Sequence, residues 1–125
     1  MATRTGIINV AGCIFAAVTN GQKAEGVDGT YCGQVVTYES GAPETLTTFE
    51  DFYAAVKGQV KYAIDECHAN LLICEKLLAE QFNLPTFTVL LDGALERAKD
   101  ATAGGAKVNI GPTMQMVGFA TMVDS

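Results

Sequence analysis

The stretch Leu95-Glu96-Arg97-Ala98-Lys99-Asp100-Ala101-Thr102-Ala103-Gly104-Gly105-Ala106-Lys107-Val108-Asn109-Ile110-Gly111-Pro112 decides how the rest of the chain is read. Its first six residues are charged and helix-forming. The glycine pair Gly104-Gly105 ends any helix, because glycine alone takes positive φ without steric cost. Lys107 to Ile110 is a β-compatible run stopped by Gly111-Pro112. Beyond it lies an apolar segment containing Met114, Met116, Val117, Phe119 and Met122, and the sequence stops at Ser125. An apolar segment that stops this abruptly is expected in a piece of something larger.

Upstream, Asn83-Leu84-Pro85 interrupts the chain, since proline lacks an amide hydrogen and clashes with the preceding helical turn. A helix is predicted over residues 86–99, with Phe87, Leu90, Leu91, Ala94 and Leu95 on its apolar face. Before the proline, Phe49, Phe52, Tyr53, Val56, Val60, Ile64, Cys67, Leu71, Cys74 and Leu78 recur every three or four residues. That spacing predicts one long helix over residues 48–81 with a single buried stripe. Thr47 with Glu50, or Thr48 with Asp51, can close a capping box at its start. Residues 22–47 read as a connector punctuated by Gly26, Gly29, Gly33, Gly41 and Pro43, with a short strand allowed between Tyr31 and Tyr38. Residues 5–20 carry Ile7, Ile8, Ala11, Ile14, Phe15 and Val18 at helical spacing, with Gly21 as the stop. The expected architecture is therefore mainly α with a short β segment at residues 106–110.

The 125 residues have room for one domain with a modest core. An apolar content of 49% excludes a disordered chain. A net charge of −6 argues against nucleic acid or an anionic membrane as partner, because both demand clustered Lys and Arg. No apolar run approaches the roughly 18 residues of a membrane span. Arg4 followed by Ile7 to Val18 has the outline of a leader sequence, but Gly6, Asn9 and Gly12 interrupt it. Cys13, Cys32, Cys67 and Cys74 form no close pair, and His68 is the single histidine. No zinc cluster follows from that spacing, and free, mostly buried thiols in a reducing cytoplasm are the expectation. His68 is expected to play a structural or surface role beside Asp65 and Glu66. No glycine-rich stretch precedes a Lys-Ser/Thr pair, so no phosphate cradle is predicted.

The order Glu96-Arg97, Lys99-Asp100, Thr102, Gly104-Gly105-Ala106-Lys107, Asn109, Gly111-Pro112, Val117-Gly118, Ala120 and Asp124-Ser125 resembles the glycyl radical enzymes, the pyruvate formate-lyase-like family. Ala98 and Val108 depart from the usual Gly and Tyr. Ile8-Asn9-Val10-Ala11 with Asn20-Gly21 resembles the family helix of the form Asn-Leu-Ala-Lys, and Gly33-Gln34-Val35 resembles a variable insert. The resemblance runs from about Ile8 to Ser125 and is weakest between Gln22 and Thr47.

The resemblance implies a partial piece of the family's ten-stranded α/β barrel: one partial domain over residues 1–125, with the variable connector at about 22–47. In that family one loop of the form Gly-Cys-Val-Glu carries a radical-forming cysteine. A second, of the form Arg-Val-x-Gly-Tyr, carries the glycine that stores the radical. Neither pattern occurs here, and Gly104-Gly105 match the barrel-strand segment, not the radical loop. Cys13 falls inside a helix and is expected to be a small buried residue. No catalytic, cofactor-binding or metal residue is therefore nominated, no cofactor is expected to be held by this segment, and the segment is expected to be inactive alone. The Thr-x-Gly-Gly-Ala form is more similar to the diol dehydratase, choline lyase and decarboxylase branches than to pyruvate formate-lyase itself. Lyase or transferase chemistry in anaerobic, cytoplasmic metabolism is what the family implies. The expected partners are the remaining parts of such an enzyme, or a second copy. A non-catalytic module docking on a full-length relative and an unrelated small helical oligomer stay as alternatives.

Overall fold

A computed structural model describes residues 5–22 and 37–124. In chain order the elements are strand β1 (Thr5–Asn9), helix α1 (Val10–Val18), a 3-10 turn (Pro43–Thr45), and helix α2 (Phe49–Gln81). Helix α3 (Pro85–Thr88), a second 3-10 turn (Ala101–Ala103), strand β2 (Thr113–Val117) and helix α4 (Phe119–Val123) follow. β1 and β2 pair as a two-stranded parallel sheet. Most of the connector, including Cys32 and Gly33-Gln34-Val35, lies outside the described residues.

The predicted helix over residues 5–20 is a strand followed by a shorter helix. Asn9 is the reason. Its backbone is extended, and its Oδ1 accepts from the Gly12 N–H at 3.2 Å, which starts α1 at Val10. The preceding isoleucines then alternate as strand residues do, with Ile8 buried and Ile7 exposed. At the other end, the Thr19 hydroxyl donates to the Phe15 carbonyl at 2.9 Å. Asn20 and Gly21 both take positive φ, so the stop at Gly21 is where the sequence put it.

α2 spans Phe49–Gln81 as the periodicity predicts. The Thr48-Asp51 alternative for the cap is the one formed. The Asp51 N–H donates to Thr48 Oγ1 at 3.1 Å, and the Thr48 N–H and hydroxyl donate to Asp51 Oδ2 at 3.2 and 2.7 Å. The buried stripe is shifted from its predicted line. Val56 and Leu71 are buried, together with Ala55 and Gln59, whereas Phe49 and Tyr53 are more than half exposed.

The predicted helix over residues 86–99 reduces to the single turn of α3. Gly93 breaks the rest: its φ is +83°, and the carbonyl of neighbouring Asp92 accepts from the Lys107 N–H at 2.7 Å. A Cβ at Gly93 would sit 2.9 Å from that of Lys107, so glycine is required on both counts. Residues 92–98 proceed as turns, and Ala98 takes φ +48°. The extended segment predicted at 106–110 is a series of bends, and the strand lies later, at Thr113–Val117. Gly111-Pro112 does break the chain, but it precedes the ladder instead of ending it.

The contacts divide the chain into two compact units. In the one formed by residues 7–66 and 116–125, Ala17, Ala55 and Val56 make the core, flanked by Ile14, Leu46, Phe52, Val60 and Met122. α1 packs against α4 there. Gln59, 2% exposed, donates to the Tyr38 carbonyl and satisfies its buried amide within that unit. In the other, residues 1–6 and 67–115, the buried positions include Leu71, Ala94, Ala101 and Ala106.

Candidate functional site

Within the unit of residues 1–6 and 67–115, the best-built polar cluster centres on Asp100, which sits at the start of the 3-10 turn. One carboxylate oxygen, Oδ1, accepts from the Thr102 N–H at 2.9 Å and the Thr102 hydroxyl at 2.7 Å. The other, Oδ2, accepts from the Leu84 N–H at 3.1 Å and the Thr88 hydroxyl at 2.8 Å. Thr88 Oγ1 in turn accepts from the Ala101 N–H at 2.9 Å. The Thr102 backbone bond leads in holding the Asp100 carboxyl down at about 2, and the Thr102 hydroxyl, Thr88 and Leu84 bonds add to it. A carboxylate with four donors is a poor proton acceptor at neutral pH. Its role is to pin the start of α3 to the turn that opens the Gly104-Gly105 segment.

That segment is tied down at further points. Arg97 Nη1 donates to the Ala106 carbonyl at 2.8 Å, and the Gly105 N–H donates to the Asp100 carbonyl at 2.9 Å. A Cβ on Gly105 would run into the Lys99 carbonyl, which accounts for glycine there. Beside the turn lies a polar cleft of about 370 Å³, lined by Thr102, Gly104, Asn109 and Ile110 with Glu75 and Lys76 of α2. Among the described residues its lining holds no Ser, Cys or His, and the Thr102 hydroxyl is engaged with Asp100. In the other unit, α2 borders an apolar groove of about 390 Å³ that Val10, Val60, Met116 and Phe119 help to line.

Neither of the two side chains weighed from sequence, Cys13 and His68, lines the cleft or the groove. Cys13 is buried in the middle of α1, where burial raises its thiol pKa, as a small core residue would have it. His68 is exposed on α2. Of the described thiols only Cys13 is buried as expected, whereas Cys67 is half-buried and Cys74 is exposed on α2, where the buried stripe has shifted away from it. Among the described residues no three His, Cys, Asp or Glu side chains converge as a metal site would require, and no helix is long and apolar enough to cross a membrane. Sequence reasoning passed over the Asp100 cluster, whose only local signal is the Asp-x-Thr spacing of an Asx turn. Its other partners, Leu84 and Thr88, come from across the proline break.

A pyruvate formate lyase-like family description matches residues 1–125, the full length of the chain. The chain belongs to the pyruvate formate lyase-like family. Among curated proteins, this family member is 31% identical over 87 residues to the trans-4-hydroxy-L-proline dehydratase of Clostridioides difficile, covering 70% of this chain and 11% of the dehydratase. It is 30% identical over 93 residues to the (2S)-3-sulfopropanediol dehydratase of Klebsiella oxytoca, covering 74% of this chain and 11% of that protein. The chain therefore spans about a tenth of the length of the curated relatives it matches. A solved structure described as 1,2-propanediol dehydration in Roseburia inulinivorans superposes with a TM-score of 0.78 at 24% identity. That match covers 97% of this chain and 15% of the solved one. The elements above are thus a partial piece of the fold of this pyruvate formate lyase-like family.

Proposed function

We propose that this chain is a scaffold segment of a glycyl radical lyase, of the dehydratase kind, and is inactive by itself. The observation that carries the reading is the state of β2. All of its residues from Met114 to Val117 are exposed, although three of the four are apolar. A parallel strand pair ordinarily has both faces covered, so this pair belongs in a larger sheet. The similarity to two dehydratases supports carbon–oxygen bond cleavage as the class of reaction that the complete assembly performs. What this chain contributes is support: α2 as a long brace, and the Asp100 cluster as the clamp on the Gly104-Gly105 turn.

The test is electron paramagnetic resonance after anaerobic incubation with a family activating enzyme and S-adenosylmethionine. The expected outcome is no glycine-centred doublet and no dehydration from the chain alone. A doublet from this chain would overturn the proposal.

A further inference from the structure

The apolar groove in the unit of residues 7–66 and 116–125 has a wall with regular chemistry. Along α2, half-buried Val60 and Ile64 continue the row of Val56, which is itself buried in the core at the groove's floor, and Tyr53, Lys57 and Lys61 form the row beside it. From Tyr53 to Ile64 the wall runs for about 16 Å, close to three helical turns. Val10, Met116, Phe119 and Met122 complete the lining. Tyr53 and Phe119 are exposed by 53% and 54% although both are large and aromatic.

Among the described residues, the charged side chains in the lining are Lys57 and Lys61, both exposed. Their present partners are weak ones. Lys57 Nζ stands 5.4 Å from the centre of the Tyr53 ring. Lys61 Nζ pairs with Asp65 at positions whose side chains are 77% and 61% exposed, so solvent screens that pair.

We propose that this groove seats an amphipathic helix of about three turns, with an apolar stripe and a row of carboxylates along the edge that meets Lys57 and Lys61. The inference rests on the reading that other polypeptide covers this segment, and it specifies the chemistry of one covering element. A ridge at four-residue spacing is the surface against which a second helix packs. A small ligand would find no converging polar groups to orient it. The chain's net charge of −6 opposes an acidic partner at long range, but that field is screened beyond about 8 Å at physiological salt. At contact the two lysines decide.

The test titrates the full chain with a labelled synthetic helical peptide of about 14 residues, bearing leucines on one face and glutamates beside them. A matched peptide carries lysines in place of the glutamates, and fluorescence anisotropy reads binding. The expected result is that the glutamate peptide binds about tenfold more tightly than the lysine peptide. The advantage should shrink at high salt. It should reverse in the K57E/K61E double variant, whose exposed substitutions leave the helix signal in circular dichroism unchanged. Equal binding of the two peptides, no binding of either, or indifference to K57E/K61E would overturn the proposal. So would lysine-dependent saturation by laurate with no peptide binding, which would make the groove a site for an anionic lipid chain. None of these outcomes bears on whether the chain holds a radical, so failure here is distinct from failure of the proposed function.

Discussion

Two residues of the turn region carry consequences that can be measured. Ala98 stands at φ +48°, in the left-handed region, at the position where the family's usual residue is glycine. A Cβ there costs about 1–2 kcal/mol, and glycine recovers it at an entropy cost of somewhat less than 1 kcal/mol. Ala98→Gly should therefore stabilise the chain by about 0.5–1 kcal/mol, read as a higher urea midpoint. At Asp100 the sign is set by a carboxyl held at about 2 against an ordinary value near 3.8. Its stabilising contribution is complete above about pH 4 and disappears as pH falls towards 2. Asp100→Asn should lower the melting temperature at neutral pH and flatten the acid limb of the stability profile between pH 4 and pH 2. A variant with an unchanged acid limb would show that the four donors do not distinguish the carboxylate from its amide.

Among the elements, α2 was the most legible in the sequence, and the Thr48 cap is its checkable feature. Thr48→Ala should cost about 1 kcal/mol, with most of the loss restored by Thr48→Ser; circular dichroism during chemical unfolding measures both. The reading succeeded there because ten apolar positions at one period outvote local noise. It failed at Thr5–Asn9 because Ile7 and Ile8 suit either a strand or a helix face, and Asn9 decides by capping. It failed at residues 86–99 because the apolar period runs on across Gly93, where φ is positive and a Cβ would meet Lys107 across the loop. The Asp100 cluster was hidden for a related reason: its donors are separated in sequence by a proline break, and only the folded chain assembles them. The buried stripe moved towards Ala55 and Gln59, the latter because its buried amide finds the Tyr38 carbonyl, a partner no periodicity reveals.

At the scale of the whole molecule, apolar exposure is the dominant feature. Ile7, Phe49 and Phe119 in one unit, and Leu90, Leu95 and Val108 in the other, are each more than half exposed, and large exposed apolar surface drives association. The isolated chain is expected to bind anilinonaphthalene sulfonate and to grow in apparent mass with concentration in light scattering. A species that stays monomeric at high concentration, without dye binding, would contradict this. The chain's extent relative to its dehydratase relatives, about a tenth of their length, is in keeping with a surface of this kind.

The strand pair has a further consequence in time. Thr5 and Thr113, whose hydroxyls meet at 3.1 Å, are 108 positions apart. Closing a flexible loop of that length costs about 4 kcal/mol beyond the constant term. At about 5–20 residues per second on the ribosome, β1 therefore emerges roughly 5–20 s before its partner has been made. During that interval its unpaired edges are available to any other strand in reach.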